Sequence, residues 1–443
     1  MQRHELEQRA YERELVIERV HLRGIYNNIK MITRLETPIP GERLKEAVKK
    51  LAKTHPLLAS RVVLDEEGGS IFTTEGVPDI PVKIYEKDSP ESYREALYKE
   101  DEDLINMETG PLCRVILLEH PESPDLVLFA HHVACDGLSL LHASRHLLEY
   151  LANPGREAQT MEPTPYSEEI LRRYPANFVN KLMIKRVNAD WSKRRRVFTE
   201  AEYHEMQRGC QRDRSVHIGF TEERTLELRE RCRSEGVTVN SALVTAMLAG
   251  TRATPELRRS DEVAFTVSIR GMIERDPGEA CGMYASGVAF DLRYKDGASF
   301  WENARTAHEL GRGKLSDPDA LFGRRASSII LDPTIFDAMI FATYGGFKDK
   351  LIEKFRGKFA KMNLGGILTN LGGVTIPREY GSMRVSDVLF LPPASGVGVL
   401  AVAASSIVGR LNVMIPYRED VLPREAVLRF GEAFQKTLHE ALN

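Results

Sequence analysis

Two short apolar runs rich in branched residues, Cys113 to Leu118 and Leu126 to Ala130, flank the polar connection Pro121-Glu122-Ser123-Pro124 and lead directly into His131. Runs of this length bounded by proline and charge read as strands, and the connection suits a hairpin-like return. Beyond Gly137, the residues Leu140, Ala143, Leu147, Leu148 and Leu151 recur at helical spacing until Asn153-Pro154-Gly155 stops them. Strand, histidine-rich loop and helix follow one another in that order. The stretch is therefore mixed α and β, as expected of an α/β fold.

A chain of 443 residues is too long for one core, because cores stop growing at roughly 250 to 300 residues. Two domains of about 200 residues are expected. With 42% hydrophobic and 28% charged residues, the composition is that of a globular protein able to bury two cores. A formal charge of −3 is small for this length and argues for no nucleic-acid partner. Met1 to Val20 carries charges throughout and lacks a secretory apolar core. No later stretch reaches about 18 apolar residues, so a transmembrane segment is not expected. The cysteines Cys113, Cys135, Cys210, Cys232 and Cys281 are scattered and form no CxxC pair, which argues against a disulfide framework and a zinc site. A reduced, cytoplasmic protein is the expectation.

Elsewhere, Gly41 to His55 reads as a helix stopped by Pro56, with a strand from Leu58 to Leu64 after it. Between Pro154 and Val197 periodicity fades, and Pro163, Pro165, Pro175 and a basic cluster suggest an inter-domain connection. The second half reads as a strand Ser215 to Ile218, helices Thr221 to Ser234 and Val239 to Thr251, and a final helix Arg424 to Leu442. Thr238 and Asn240 are both placed to cap the second of these helices. Further strands are expected at Glu262 to Ile269, Val288 to Tyr294, Val385 to Leu391, 398–406 and Arg410 to Ile415. We place an N-terminal domain at 1–185, a basic linker at 186–210 and a C-terminal domain at 211–443. The two halves look like related α/β units, without a residue-level repeat.

The run His131-His132-Val133-Ala134-Cys135-Asp136-Gly137 concentrates catalytic residue types as no other stretch does. An imidazole with an ordinary pKa of about 6.5 can accept a proton at neutral pH and return it. Attack of a hydroxyl or amine on a thioester requires both steps. Gly137 would let a ligand approach the backbone, and Asp136 could either fix an imidazole tautomer or anchor the loop through an arginine. The plain alternative is a loop with two histidines, one of them packed.

His131 to Gly137 matches the HHxxxDG signature and thereby resembles the condensation-domain superfamily, which includes nonribosomal peptide condensation domains, polyketide-associated acyltransferases, wax-ester synthases and alcohol acetyltransferases. The resemblance extends to Gly110-Pro111-Leu112-Cys113-Arg114, His55-Pro56-Leu57-Leu58, Thr238-Val239-Asn240-Ser241, Ser268-Ile269-Arg270 and Gly282-Met283-Tyr284. Thr369-Asn370-Leu371-Gly372 resembles the SNxG segment of the alcohol acetyltransferase and polyketide-associated branch. Ser139 also stands where many members have serine. Met283 and Thr369 depart from the common asparagine and serine, which leaves the acceptor lining less defined than the base.

The resemblance implies two chloramphenicol-acetyltransferase-like α/β domains arranged as a V, with a crossover segment around 360–395 and the histidine loop at the channel between them. It implies His132 as general base, His131 as loop support and Asp136 paired with Arg270. Ser139, Asn370 and Gly372 become candidates for the substrate channel. The implied reaction moves an acyl group from coenzyme A or a phosphopantetheine-linked carrier to a small-molecule or lipid alcohol. The thioester donor is a co-substrate, and no permanently bound cofactor or metal is implied. An acyl carrier protein is then a candidate partner. The rivals are amide formation with an amine acceptor and a non-catalytic scaffold of the same fold.

Other features weigh less. Cys135 could be a nucleophile beside histidine. His142 and His146 have the spacing of a helical metal pair but lack the glutamate of HExxH, so a helix-surface role is expected. Lys193-Arg194-Arg195-Arg196, with Lys181, Lys185 and Arg186, could meet phosphates or an acidic carrier, although a solvated linker face is the plainer reading. Phe178 to Trp191 mixes apolar and basic residues in a way that suits an anionic membrane surface. Gly311-Arg312-Gly313-Lys314 and the pairs Gly365-Gly366 and Gly372-Gly373 fit no nucleotide-binding loop.

Overall fold

The computed structural model describes residues 10–443 apart from 258, 361–363, 373 and 395–399, and of residues 320, 324 and 358–360 the backbone alone. Its strands, in chain order, are β1 (Glu12–Glu14), β2 (Asn28–Leu35), β3 (Arg61–Leu64), β4 (Ser70–Thr73), β5 (Val82–Glu86), β6 (Cys113–Glu119), β7 (Asp125–His131), β8 (Arg214–Gly219) and β9 (Glu262–Ser268). They continue as β10 (Ala285–Asp291), β11 (Leu364–Asn370), β12 (Glu379–Tyr380), β13 (Met383–Leu391), β14 (Ala401–Ser405) and β15 (Asn412–Tyr417). One six-stranded sheet has the order β12-β13-β2-β7-β6-β5 and the other β10-β9-β11-β14-β15-β8, while β1, β4 and β3 form a small third sheet. Helices pack on both large sheets, giving two α/β lobes with their own apolar cores.

In the first lobe β6 and β7 form the expected antiparallel hairpin, and β7 also pairs with β2, Asn28 opposite His131 and Arg34 opposite Asp125. Every residue of β7 is buried, which explains its unbroken apolar run: a central strand covered on both faces does not alternate. Sequence reading overlooked β2, although it lies in the middle of this sheet. Its polar residues concealed it. Lys30 is buried and paired with Asp101 at 2.8 Å, and Arg34 is held by Asp125 at 2.9 Å.

The helices Gly41–Thr54, Gly137–Ala152, Val239–Arg252 and Arg424–Leu442 lie where periodicity put them, and Thr238 rather than Asn240 caps the third. The strand expected from Leu58 begins only at Arg61, because Leu58, Ala59 and Ser60 turn back onto the carbonyls of His55, Pro56 and Leu57. The supposedly irregular connection contains two helices, Ser167–Arg173 and Phe178–Trp191. In the longer one, Trp191 alone is fully packed, so no inward stripe marked it. Positions 398 and 399 of the expected strand 398–406, and Gly373, lie outside the described residues.

The crossover is shorter than 360–395. β11 remains in the second sheet, parallel to β9 and β14. The strands that cross are β12 and β13, with β13 antiparallel to β2. β13 is also hooked to its own lobe: Ser405 Oγ donates to the Val388 carbonyl at 3.0 Å, and Asn412 Nδ2 donates to Asp387 Oδ1 at 2.5 Å.

Candidate active site

β7 delivers the histidine pair to the end of the sheet facing the second lobe. The His131 backbone N–H donates to the Leu112 carbonyl at 2.9 Å, and that of His132 to the Asn27 carbonyl at 2.8 Å, so the adjacent chain segments fix both residues. The His131 ring is buried, and its Nδ1 accepts the Val133 N–H at 3.3 Å. A ring that accepts at Nδ1 carries its proton on Nε2, which here has no partner. Burial pushes its pKa down to about 3, so His131 is a neutral, packed ring.

His132 is arranged differently. It is half-buried, and its Nδ1 lies 2.9 Å from the Cys135 carbonyl oxygen. A carbonyl only accepts, so Nδ1 holds the proton and Nε2 keeps a free lone pair. Burial lowers the pKa, while the Cys135 carbonyl and the Asp136 charge act the other way. The result is a neutral imidazole with a defined tautomer, ready to accept a proton.

Sequence reasoning missed His21, at the end of the short helix Ile17–His21. Its ring centroid is 4.3 Å from that of His132, at an interplanar angle of 38°. Asn27 Nδ2 donates to the His21 carbonyl at 2.6 Å. Burial first, then His132, Arg325 and His131, hold the His21 pKa well below its ordinary range. Only the presence of a histidine at the end of a charged N-terminal stretch could have hinted at this neighbour.

Asp136 does not pair with Arg270. Its Oδ1 accepts the Ser139 N–H at 2.8 Å as the N-cap of Gly137–Ala152, and its Oδ2 accepts the Tyr284 N–H at 2.8 Å. Arg270 reaches the motif one step away. It donates to Ser139 Oγ at 2.7 Å and to the Gly278 and Ala280 carbonyls at 2.6 and 3.0 Å, with its guanidinium 4.3 Å from the centre of the Tyr284 ring. Ser139 is therefore a strut and not a channel residue: it is wholly buried, and Oγ also donates to the Gly282 carbonyl at 2.8 Å. Gly137 is needed for packing, because a Cβ there would lie 2.6 Å from the Phe390 ring of β13. The approach reserved for a ligand is occupied by the crossing strand.

Asn370 ends β11, and its Oδ1 accepts the Gly372 N–H at 2.8 Å. It closes a turn of the second sheet and does not ride on the crossing strands. Cys135 is wholly buried, and burial pushes its thiol far above its ordinary range, the opposite of an activated nucleophile. His146 lies inward and not on the surface. Its Nδ1 is 2.9 Å from His55 Nε2 and its Nε2 3.0 Å from Glu279 Oε2, while His142 lies 3.6 Å from Glu279 Oε1. Among the described residues no three His, Cys, Asp or Glu side chains are grouped as a metal site. The basic run is largely neutralised: Arg194 pairs with Asp190 and Asp349, Arg195 with Asp332 and Arg196 with Glu202. No single described helix is long and apolar enough to cross a membrane.

The fold has counterparts among solved structures. The chain aligns with polyketide synthase associated protein 5 from Mycobacterium tuberculosis at a TM-score of 0.63 and 15% identity, covering 97% of each chain. With the trichothecene 15-O-acetyltransferase of Fusarium sporotrichioides the TM-score is 0.64 at 13% identity, over 98% of this chain and 96% of that one. The first condensation domain of the CDA synthetase gives 0.65 at 16% identity, over 96% and 93%. In sequence, 243 residues are 24% identical to bacitracin synthase 3 of Bacillus licheniformis, which is 52% of this chain and only 4% of that much longer protein. Residues 7–316 match the family model of the Condensation domain, and the chain belongs to the condensation-domain family.

Proposed function

We propose that the chain transfers an acyl group from a coenzyme A or carrier-protein thioester to an alcohol. The observation that carries this reading is the Nδ1 contact of His132 with the Cys135 carbonyl, which leaves Nε2 unprotonated. Nε2 takes the hydroxyl proton as the oxygen bonds to the thioester carbonyl carbon. The carbon–sulfur bond then breaks, and the imidazolium returns the proton to the departing thiolate, leaving an ester and a free thiol. The lowered pKa of His132 keeps it in the accepting form at neutral pH.

The O-acetyltransferase among the structural neighbours and the Thr369-Asn370-Leu371-Gly372 segment favour an alcohol acceptor. The likeness to bacitracin synthase 3 and to the CDA condensation domain favours the second reading, amide formation by the same steps with an amine. Thiol release from a panel of acyl-coenzyme A and acyl-carrier donors, with pooled alcohols and amines and mass identification of the product, separates the two. Acceptor-dependent release that His132→Ala abolishes supports acyl transfer. Tight thioester binding with no turnover for any donor would leave a scaffold.

A further inference from the structure

Exposed apolar side chains are unevenly spread over this molecule. Of the twelve large ones exposed among the described residues, four lie in the first half of the helix Phe178–Trp191: Phe178 at 80%, Val179 at 64%, Met183 at 50% and Leu182 at 41%. Positions i, i+1, i+4 and i+5 share one helical face, so the four form a single outward stripe. The other end of the helix is anchored. Trp191 is buried and donates to Thr334 Oγ1 at 2.7 Å, while Asn188 donates to the Ile330 carbonyl at 2.9 Å and accepts the Asp332 N–H at 3.0 Å. The stripe is thus a fixed surface held out to solvent.

The surrounding charge indicates what covers it. Arg186 follows Leu182 by four residues and continues the stripe, and Lys181 and Lys185 flank it. Among the described residues none of these three cations has an ion-pair partner, whereas Arg194, Arg195 and Arg196 just beyond are all paired. The one acid of the helix, Asp190, is taken by Arg194. Apolar side chains bordered by unneutralised lysine and arginine complement an anionic lipid surface, acyl chains below and phosphates above. A stable protein partner asks for roughly 800 Å² on each side, more than two turns of one helix supply. A bilayer sets no such minimum.

We propose that the helix Phe178–Trp191 docks the protein on an anionic membrane surface. Phe178, Val179, Leu182 and Met183 enter the interface, and Lys181, Lys185 and Arg186 lie on lipid phosphates. The test is co-sedimentation of the full chain with vesicles of phosphatidylcholine alone or of phosphatidylcholine with phosphatidylglycerol. The chain is expected to pellet with the anionic vesicles at low salt. Phe178→Ser with Leu182→Ser, or Lys181→Glu with Lys185→Glu, should each cut binding about tenfold or more, with an unchanged melting temperature because these side chains are exposed. A chain that ignores both kinds of vesicle, or binding that neither double variant alters, overturns the proposal. So does a dimer that the serine variant converts to monomer, or binding to an acyl carrier protein that needs the stripe while vesicles are ignored.

Discussion

Asp136 Oδ2 accepts the backbone N–H of Tyr284 at 2.8 Å, while its Oδ1 accepts that of Ser139 at the same distance. One carboxylate thereby caps the helix behind the histidine loop and ties that loop to the segment leading into β10 of the other lobe. The Asp136 N–H completes the tie by donating to the Gly282 carbonyl at 3.0 Å. At the histidine loop the lobes are thus joined by Asp136, through its carboxylate and its backbone, together with the Ser139 hydroxyl that Arg270 and the Gly282 carbonyl share.

Asp136→Ala should therefore destabilise the protein. Loss of a cap costs about 1 kcal/mol, and loss of a hydrogen bond to a charged group adds about 1.5–3 kcal/mol. A fall of about 2.5–4 kcal/mol in urea unfolding is expected, with most of the activity lost. A loss below about 0.5 kcal/mol would contradict the double role.

Arg270→Ala should cost less than a broken buried ion pair would, because no Asp136–Arg270 pair exists to break. The double-mutant cycle is decisive. Coupling of Arg270 with Ser139 should fall in the range of about 0.5–3 kcal/mol seen for contacting residues. Direct coupling to Asp136 should be smaller. Strong Asp136–Arg270 coupling with none to Ser139 would reverse this assignment.

His132→Ala should lower kcat/KM by about a hundredfold to ten-thousandfold, as removal of a general base does. Folding should remain intact. The acid limb has a defined sign: protonation removes the accepting lone pair, and the His132 pKa lies below its ordinary value of 6.5. Activity should accordingly have reached its plateau by neutral pH and fall only in more acidic buffer. A limb centred above 6.5 in the kcat/KM profile would show that another group is titrating.

The histidine loop, its hairpin and its helix were legible because each carries a local signal: an unbroken apolar run, a helical stripe and a dense cluster of titratable residues. The cluster leaves open which imidazole accepts a proton, and the choice of His132 is implied by the family resemblance alone. The tautomer does not, because it depends on where the Cys135 carbonyl turns. Interactions between distant segments were least legible. His21 packs against His132 at a tilt from the N-terminal turn, β2 hides its charges in pairs with Asp101 and Asp125, and Arg270 chooses Ser139 over Asp136. Residue type predicted that an arginine would grip the motif but could not say which atom it would take.

Acid should destabilise the fold through its buried imidazoles. Burial pushes His131 to about 3 and His55 well below its ordinary value, and it also lowers His146. Each is neutral in the folded chain and free to protonate at about 6.5 once unfolded. Above that pH neither state binds the extra proton, and the stability is fully present. Below it only the unfolded chain does, so stability falls down to the folded pKa, near 3 for His131, by about 1.4 kcal/mol per pH unit for each such group. Urea unfolding at pH 7.5, 6.5 and 5.5 should show little change over the first step and a marked loss over the second. A flat profile would mean that these rings take up protons in the folded state.

Gly137→Ala tests the crossing strand. In an open helix this change would be favourable by about 1 kcal/mol. Here the added Cβ meets Phe390 Cζ at 2.6 Å, and overpacking of that kind costs about 1–3 kcal/mol. The alanine variant should be less stable than the parent and lose activity, since the displaced helix start is joined directly to the loop that holds His132. Phe390→Leu alone should also destabilise, by leaving a void under the loop. The two changes together should be less harmful than the sum of their separate costs, because leucine gives the new methyl room. Such favourable coupling, measured by urea unfolding and by recovered thiol release, would establish that β13 supports the histidine loop from beneath. Strict additivity would mean that the glycine is required for some other reason.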